Sequence, residues 1–201
     1  MSRFVLLLLV LSFSLYMATS ASSPTDFIKV SCKTTRYPAL CIECLAGYAS
    51  EIRKNDHHLA LTALSVSLSR ATSAAAFVSK LREVRGIKPR EFLAVKDCIE
   101  NMGDTVDRLS QSIKELGRMR RNVGQDFVRH MSNVQTWVSA ALTDENTCLD
   151  GFAGRRMDGN VKAVIKHRVT DVARVTSNAL ALVNHYASKS RHHTDEFDQK
   201  P

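Results

Sequence analysis

Proline and glycine are scarce, at four and eight residues in 201, which excludes a collagen-like, proline-rich or low-complexity chain. Aromatic residues make up only 6%, too few for a large β-sandwich built on aromatic cross-strand pairs. No G-x-S-x-G, P-loop or H-E-x-x-H is present, so the signatures of serine hydrolases, P-loop nucleotide binding and zinc peptidases are missing. None of the eight glutamates has a histidine three residues on, which removes the E-x-x-H pairs of di-iron bundles. There is no N-x-Ser/Thr acceptor. Strict apolar/polar alternation, the mark of a half-buried strand, is not found. Beyond the N-terminal 20 residues no stretch is expected to be long and apolar enough to span a bilayer. The chain reads as no enzyme, with no metal and no cofactor.

What is present starts with charge. Lys+Arg number 28 against 20 Asp+Glu, a net charge of +8. That surplus points to acidic partners: nucleic acid, polyanionic polysaccharide, membrane surface or acidic protein. Arg3 precedes the apolar run Phe4 to Leu11, and small residues Ala18, Thr19, Ser20 and Ala21 follow. A basic residue, a short apolar core and a small-residue exit describe a secretory signal peptide over residues 1–20, cleaved after Ser20. An exported chain has no nucleic-acid partner, and no membrane partner once the signal is removed.

Export places Cys32, Cys41, Cys44, Cys98 and Cys148 in an oxidising compartment, where pairing is the default. Five cysteines allow two bridges and one leftover thiol, in fifteen combinations that spacing alone does not settle. Cys41-Ile42-Glu43-Cys44 is formally a CxxC. It lacks the strand–turn–helix context of a redox motif and reads as structural.

Helical periodicity dominates. Residues 56–85 carry Leu59, Ala63, Val66, Ala71, Phe77, Leu81 and Val84 at mostly three- and four-residue steps, ending at Gly86. Pro89 opens a second segment whose apolar face runs Phe92, Val95, Ile99, Met102, Val106, Leu109, Ile113 and Leu116. After the basic linker Arg118-Met119-Arg120-Arg121-Asn122, a third segment carries Phe127, Met131, Val134, Val138 and Ala141. A fourth runs from Val161 to Tyr186. Four amphipathic helices with short connections predict an all-α, up-down-up-down four-helix bundle. Residues 24–50 predict two short helices, Thr25 to Cys32 and Pro38 to Ala49, which a Cys32–Cys41 bridge would staple into a hairpin. Ser190 to Pro201 is polar and predicts a disordered tail.

Within this frame Asp97, Glu100, Asp104 and Asp107 form a row on one helix, most simply a solvated face. His57-His58 and His192-His193 are adjacent pairs that face different ways, which suits a surface better than a metal site. The Arg-Met-Arg-Arg linker reads as an exposed basic loop.

Four blocks in order carry a family resemblance. They are Thr35-Arg36-Tyr37-Pro38-Ala39-Leu40-Cys41 behind Cys32, and Ala94-Val95-Lys96-Asp97-Cys98-Ile99-Glu100. Then come Val134 to Thr143 followed by Thr147-Cys148-Leu149-Asp150-Gly151-Phe152, and Ser177-Asn178-Ala179-Leu180-Ala181-Leu182. Together they span roughly residues 28–186, and the chain resembles the plant invertase/pectin methylesterase inhibitor family. The resemblance implies a helical hairpin ahead of the four-helix bundle, with bridges Cys32–Cys41 and Cys98–Cys148. Cys44 departs from the family pattern and is left as a free thiol.

The same resemblance implies a secreted, extracellular protein of the plant cell wall that binds a wall enzyme and obstructs its cleft. Residues 21–189 then form the inhibitor domain, with 24–50 as the hairpin and 51–189 as the bundle. Invertase-directed members carry Pro-Lys-Phe before the third long helix, where this chain reads Gly124-Gln125-Asp126-Phe127. Pectin methylesterase is therefore the expected partner, with acid invertase as the alternative. Expected interface residues are Glu100, Asp104 and Asp107 on the second long helix and Gln135, Thr136 and Ser139 on the third. A rival reading, from charge, is a basic wall-polysaccharide protein that binds pectin without inhibiting anything.

Overall fold

The computed structural model describes residues 23–119, 124–157 and 159–198, with side chains as far as Ser190. The expected signal peptide and most of the basic linker lie outside the described residues. Among the described residues the secondary structure is helical throughout.

Three short helices come first. Helix α1 (Pro24–Cys32) starts on a reciprocal cap: the Ser23 hydroxyl accepts the Asp26 N–H at 3.1 Å, and the Asp26 carboxylate accepts the Ser23 N–H at 3.4 Å. Such caps satisfy donors that a helix start leaves orphaned. Helix α2 (Pro38–Leu45) begins on a proline, where the missing N–H costs nothing. The second short helix, expected to reach Ala49, instead tightens into a 3-10 turn, Ala46–Tyr48, around Gly47 before α3 (Ala49–Ile52). Arg53 and Lys54 end this region with φ of 48° and 57°.

The bundle follows as α4 (Asp56–Leu81), α5 (Pro89–Arg118), α6 (Gly124–Asp150) and α7 (Asn160–Asp198). Cross-helix pairs fix its antiparallel order. His57 Nε2 meets the Leu116 carbonyl at 2.9 Å, Thr105 donates to the Ala141 carbonyl at 3.4 Å, and Gln135 donates to Asn184 at 2.7 Å. Lys189 pairs with Asp56 at 2.6 Å. Leu59, Leu64, Val95, Met102, Leu109, Val134, Val138, Ile165 and Val172 are buried in one core.

Several expectations are corrected. Helix α4 stops at Leu81 and leaves Val84 exposed, and Phe92 is 41% exposed while Glu91 beside it is buried. Glu91 lies in register with the buried series Ala94, Val95, Cys98 and Met102, which leaves Phe92 at its edge, and the Glu91 carboxylate accepts the Lys88 N–H at 3.1 Å to cap α5. Helix α4 is, by length and composition, apolar enough to cross a membrane. Its Leu59, Ala60, Ala63, Leu64, Ala71 and Ala74 spend that apolarity inside the bundle. The backbone of α7 continues to Asp198, past the expected end at Ser190. No proline or glycine interrupts residues 190–198, and extending an existing helix is far cheaper than starting one.

Candidate functional site

Helices α5 and α6 form the most firmly clamped pair. The structure joins Cys98 to Cys148 near one end of the seam, and Thr105 crosses to Ala141 in the middle. Arg108 Nε donates to Asp144 Oδ2 at 2.6 Å, and His130 Nδ1 meets Glu115 Oε1 at 2.6 Å. Asn133 adds a second contact on Glu115. The hydrogen bond from His130 is the main reason that the Glu115 carboxyl is held below the usual range.

On the outer surface of this pair the row Asp97, Glu100, Asp104 and Asp107 is exposed along α5. None of the four makes an ion pair among the described residues. Thr136 and Ser139 are exposed on α6. Gln135 is only half-exposed and its amide is engaged with Asn184 of α7, so it sits on the opposite seam of α6. The structure thus brings Glu100, Asp104, Asp107, Thr136 and Ser139 onto the exterior of one helix pair and places Gln135 at its far edge.

The cysteines outside this seam lie in the hairpin. Cys32 is joined to Cys41, and Cys44 is left single and half-buried. Arg70 of α4 reaches the Cys44 sulfur at 3.5 Å while also pairing with Asp171 of α7. Burial, the largest influence, pushes the Cys44 thiol up. An open groove of about 540 Å³ runs between this part of the hairpin and α4, lined by Glu43, Cys44, Tyr48, Glu51 and Arg70. Among the described residues no group of three or more His, Cys, Asp or Glu could hold a metal ion.

Sequence reading passed over two features. Asn178 of α7 accepts the Tyr37 N–H at 3.0 Å and donates to its carbonyl at 2.9 Å, which ties the hairpin to the bundle. Glu145 is fully buried: Thr176 donates to its Oε1 at 2.7 Å, Ser67 lies 2.7 Å from Thr176, and Oε2 has no hydrogen-bond partner among the described residues. Desolvation pushes this carboxyl up to about 8. A signal for Glu145 was available, because the apolar series Val134, Val138, Ala141 continues at the next steps to Glu145 and Cys148. Nothing comparable marks Asn178, whose partner is a backbone 141 residues away.

Comparison with known proteins gives a consistent result. The family model for the plant invertase/pectin methylesterase inhibitor matches residues 26–182. Pectinesterase inhibitor 9 of Arabidopsis thaliana is 54% identical over 192 residues, covering 92% of this chain and 94% of its own. The 21 kDa protein of Daucus carota is 50% identical over 175 residues, covering 87% and 91%. The crystal structure of mutant form A of a pectin methylesterase inhibitor from Arabidopsis superposes with a TM-score of 0.63 at 23% identity. It covers 81% of this chain and 97% of that one, and shows the shared fold. The chain belongs to the plant invertase/pectin methylesterase inhibitor family.

Proposed function

We propose that this protein inhibits a pectin methylesterase in a stoichiometric complex, with the exposed face of α5 and α6 seated across the enzyme's pectin-binding cleft. Family membership and relatives named as pectinesterase inhibitors support the enzyme class. The observation that carries the mode of action is the α5–α6 face itself, a clamped surface with four carboxylates that make no ion pair among the described residues. Helices of 30 and 27 residues make a strip about 40 Å long and about 20 Å wide. That footprint reaches the ~800 Å² per partner of a stable complex. A surface already rigid pays little ordering entropy on binding. Glu100, Asp104, Asp107, Thr136 and Ser139 supply central contacts, and Gln135 supplies an edge contact. Two disulfides suit an oxidising, extracellular site of action, here the plant cell wall.

Titrating the purified protein into a pectin methylesterase and, separately, an acid invertase tests this reading. Esterase activity should fall to an end point at one inhibitor per enzyme while invertase is unaffected. The combined change Glu100→Gln, Asp104→Asn, Asp107→Asn should weaken inhibition about tenfold or more, the cost of removing interface charge contacts. Inhibition of invertase alone, or of neither enzyme, would overturn the proposal.

A further inference from the structure

Basic residues are concentrated at one end of the bundle. Residues 80–96 and 150–168 hold eleven Lys+Arg against four Asp+Glu, a surplus of seven in a chain of net charge +8. The antiparallel order brings these stretches together: α4 ends at Leu81 and α5 begins at Pro89, while α6 ends at Asp150 and α7 begins at Asn160. Contacts confirm the meeting. A side chain on Gly159 would lie 3.2 Å from the Glu91 carboxylate, and the Arg168 guanidinium sits 4.6 Å from the centre of the Phe77 ring.

Arg82, Arg85, Arg90, Arg155, Arg156 and Lys166 are all exposed here, and none makes an ion pair among the described residues. Of the four acidic residues at this end, Asp158 lies outside the described residues, Glu91 is buried and occupied with its cap, and Glu83 and Asp150 are exposed. The large apolar side chains Val84, Phe92, Leu93 and Val164 are exposed in the same region. Crowding like charges raises self-repulsion, whereas solubility needs only net charge, however distributed.

We propose that this end of the bundle binds a linear polyuronate, the de-esterified, carboxylate-bearing form of the pectin chain. Three observations favour that polyanion over others. The two disulfides point to an oxidising compartment, away from the cell's nucleic acid. The strongly anionic lipid leaflet is the cytoplasmic one. A pyranose ring also offers C–H faces to Phe92 and Leu93, which a phosphodiester backbone does not. The choice of polymer rests on the pectinesterase reading. Hydrolysis of each methyl ester consumes one water and leaves a carboxylate, a proton and methanol, so anionic polymer accumulates where the enzyme works. The basic end then holds the inhibitor on de-esterified stretches, while the carboxylates further along α5 stay available to the enzyme.

The test measures binding of the purified protein to polygalacturonate with no enzyme present, across a salt series. Affinity should fall linearly with the logarithm of salt concentration, as for any polyanion whose counterions are released. Fully methyl-esterified polymer should bind about tenfold more weakly or worse. The triple changes R82Q/R85Q/R90Q and R155Q/R156Q/K166Q should each cost about fivefold or more and flatten the salt slope. K33Q/K114Q/R118Q, the same charge removed elsewhere, should cost less than about twofold. Circular dichroism confirms that each variant is folded. Equal losses in all three variants, equal binding of esterified polymer, or binding only to phosphatidylserine vesicles would overturn the proposal. Because the assay contains no enzyme, its failure leaves the inhibitor reading standing, and failed inhibition leaves the polymer site standing.

Discussion

The N-terminal hairpin and the four-helix bundle are held together by different physics. Hairpin helices of nine, eight and four residues are too short to persist alone in water. They are secured by a capping box, by the Cys32–Cys41 bridge and by Asn178 gripping the Tyr37 backbone. Bundle helices of 26 to 39 residues are secured by a continuous apolar core. Among their polar exceptions, Ser67, Thr105, Ser112, Glu145 and Thr176 are fully buried but hydrogen-bonded. Discrete attachments can be cut one at a time, whereas a periodic core fails as a unit. The hairpin should therefore loosen locally and the bundle globally.

Removing each bridge is the strongest way to break that contrast. In the chain-entropy description, closing the 50-residue separation of Cys98 and Cys148 stabilises the fold by about 4 kcal/mol. The nine-residue separation of Cys32 and Cys41 gives about 2.5 kcal/mol. Cys98→Ser/Cys148→Ser should lower the urea midpoint of the whole molecule. Cys32→Ser/Cys41→Ser should lower it less and speed amide exchange mainly over residues 24–52. Equal effects on the urea midpoint would mean that the hairpin is not a separable unit.

Glu145 gives the bundle a pH dependence that the hairpin does not share. Its carboxyl is pushed up to about 8 in the folded protein, from 4.5 for an unburied glutamate, chiefly by desolvation. The unfolded chain therefore releases this proton at lower pH than the folded one. Stability from this group is complete below about pH 4.5 and is lost as pH rises toward 8, by roughly 1.4 kcal/mol per unit. Glu145→Gln keeps an acceptor for Thr176 and removes the titration. Thermal melts from pH 4.5 to 8 should show wild type losing stability steadily and the variant losing much less. Parallel curves would mean that the carboxyl is not neutral in the fold.

How far the sequence exposed these two regions follows from what each uses. The bundle was legible because Met102, Leu109, Val134 and Val138 recur at helical spacing, and spacing is a local property. Its edges were less so: Phe92 is apolar yet exposed, because the buried face of α5 runs through Glu91, Val95, Cys98 and Met102 and leaves Phe92 beside it. On the candidate face, exposure of Glu100, Asp104 and Asp107 follows from the same periodicity. The Gln135–Asn184 bond does not, since it needs a partner 49 residues away. The basic end was visible only as a net charge of +8 until the topology folded two distant stretches together.

Asn178 sharpens the contrast from the side of the attachments. It is buried and makes both hydrogen bonds to the Tyr37 backbone. Asn178→Ala leaves that N–H unpaired, while the Tyr37 carbonyl keeps the Cys41 N–H at 3.0 Å, at a cost of about 1–2 kcal/mol. Hydrogen exchange should accelerate in residues 24–52 while amides in the centres of α5 and α6 stay protected. Acceleration throughout would show that the hairpin and bundle unfold together.

Cys44→Ser should have the smallest effect, although Cys44 lies at the joint of the two regions. Its neighbours there include Cys41, Leu45, Ala63, Val66 and Val175. Arg70, which reaches its sulfur, is already paired with Asp171. A serine hydroxyl can accept the same guanidinium hydrogen, so no buried donor is orphaned. The expected change is within about 0.5 kcal/mol, with amide exchange of the hairpin unaltered. Burial also pushes the thiol up from its ordinary value. The native protein should consequently react with a thiol reagent at neutral pH more slowly than the urea-unfolded chain, because little thiolate is available. A loss above about 1 kcal/mol on substitution would move Cys44 into the set of attachments that hold the hairpin. A small loss leaves that role to the Cys32–Cys41 bridge and to Asn178.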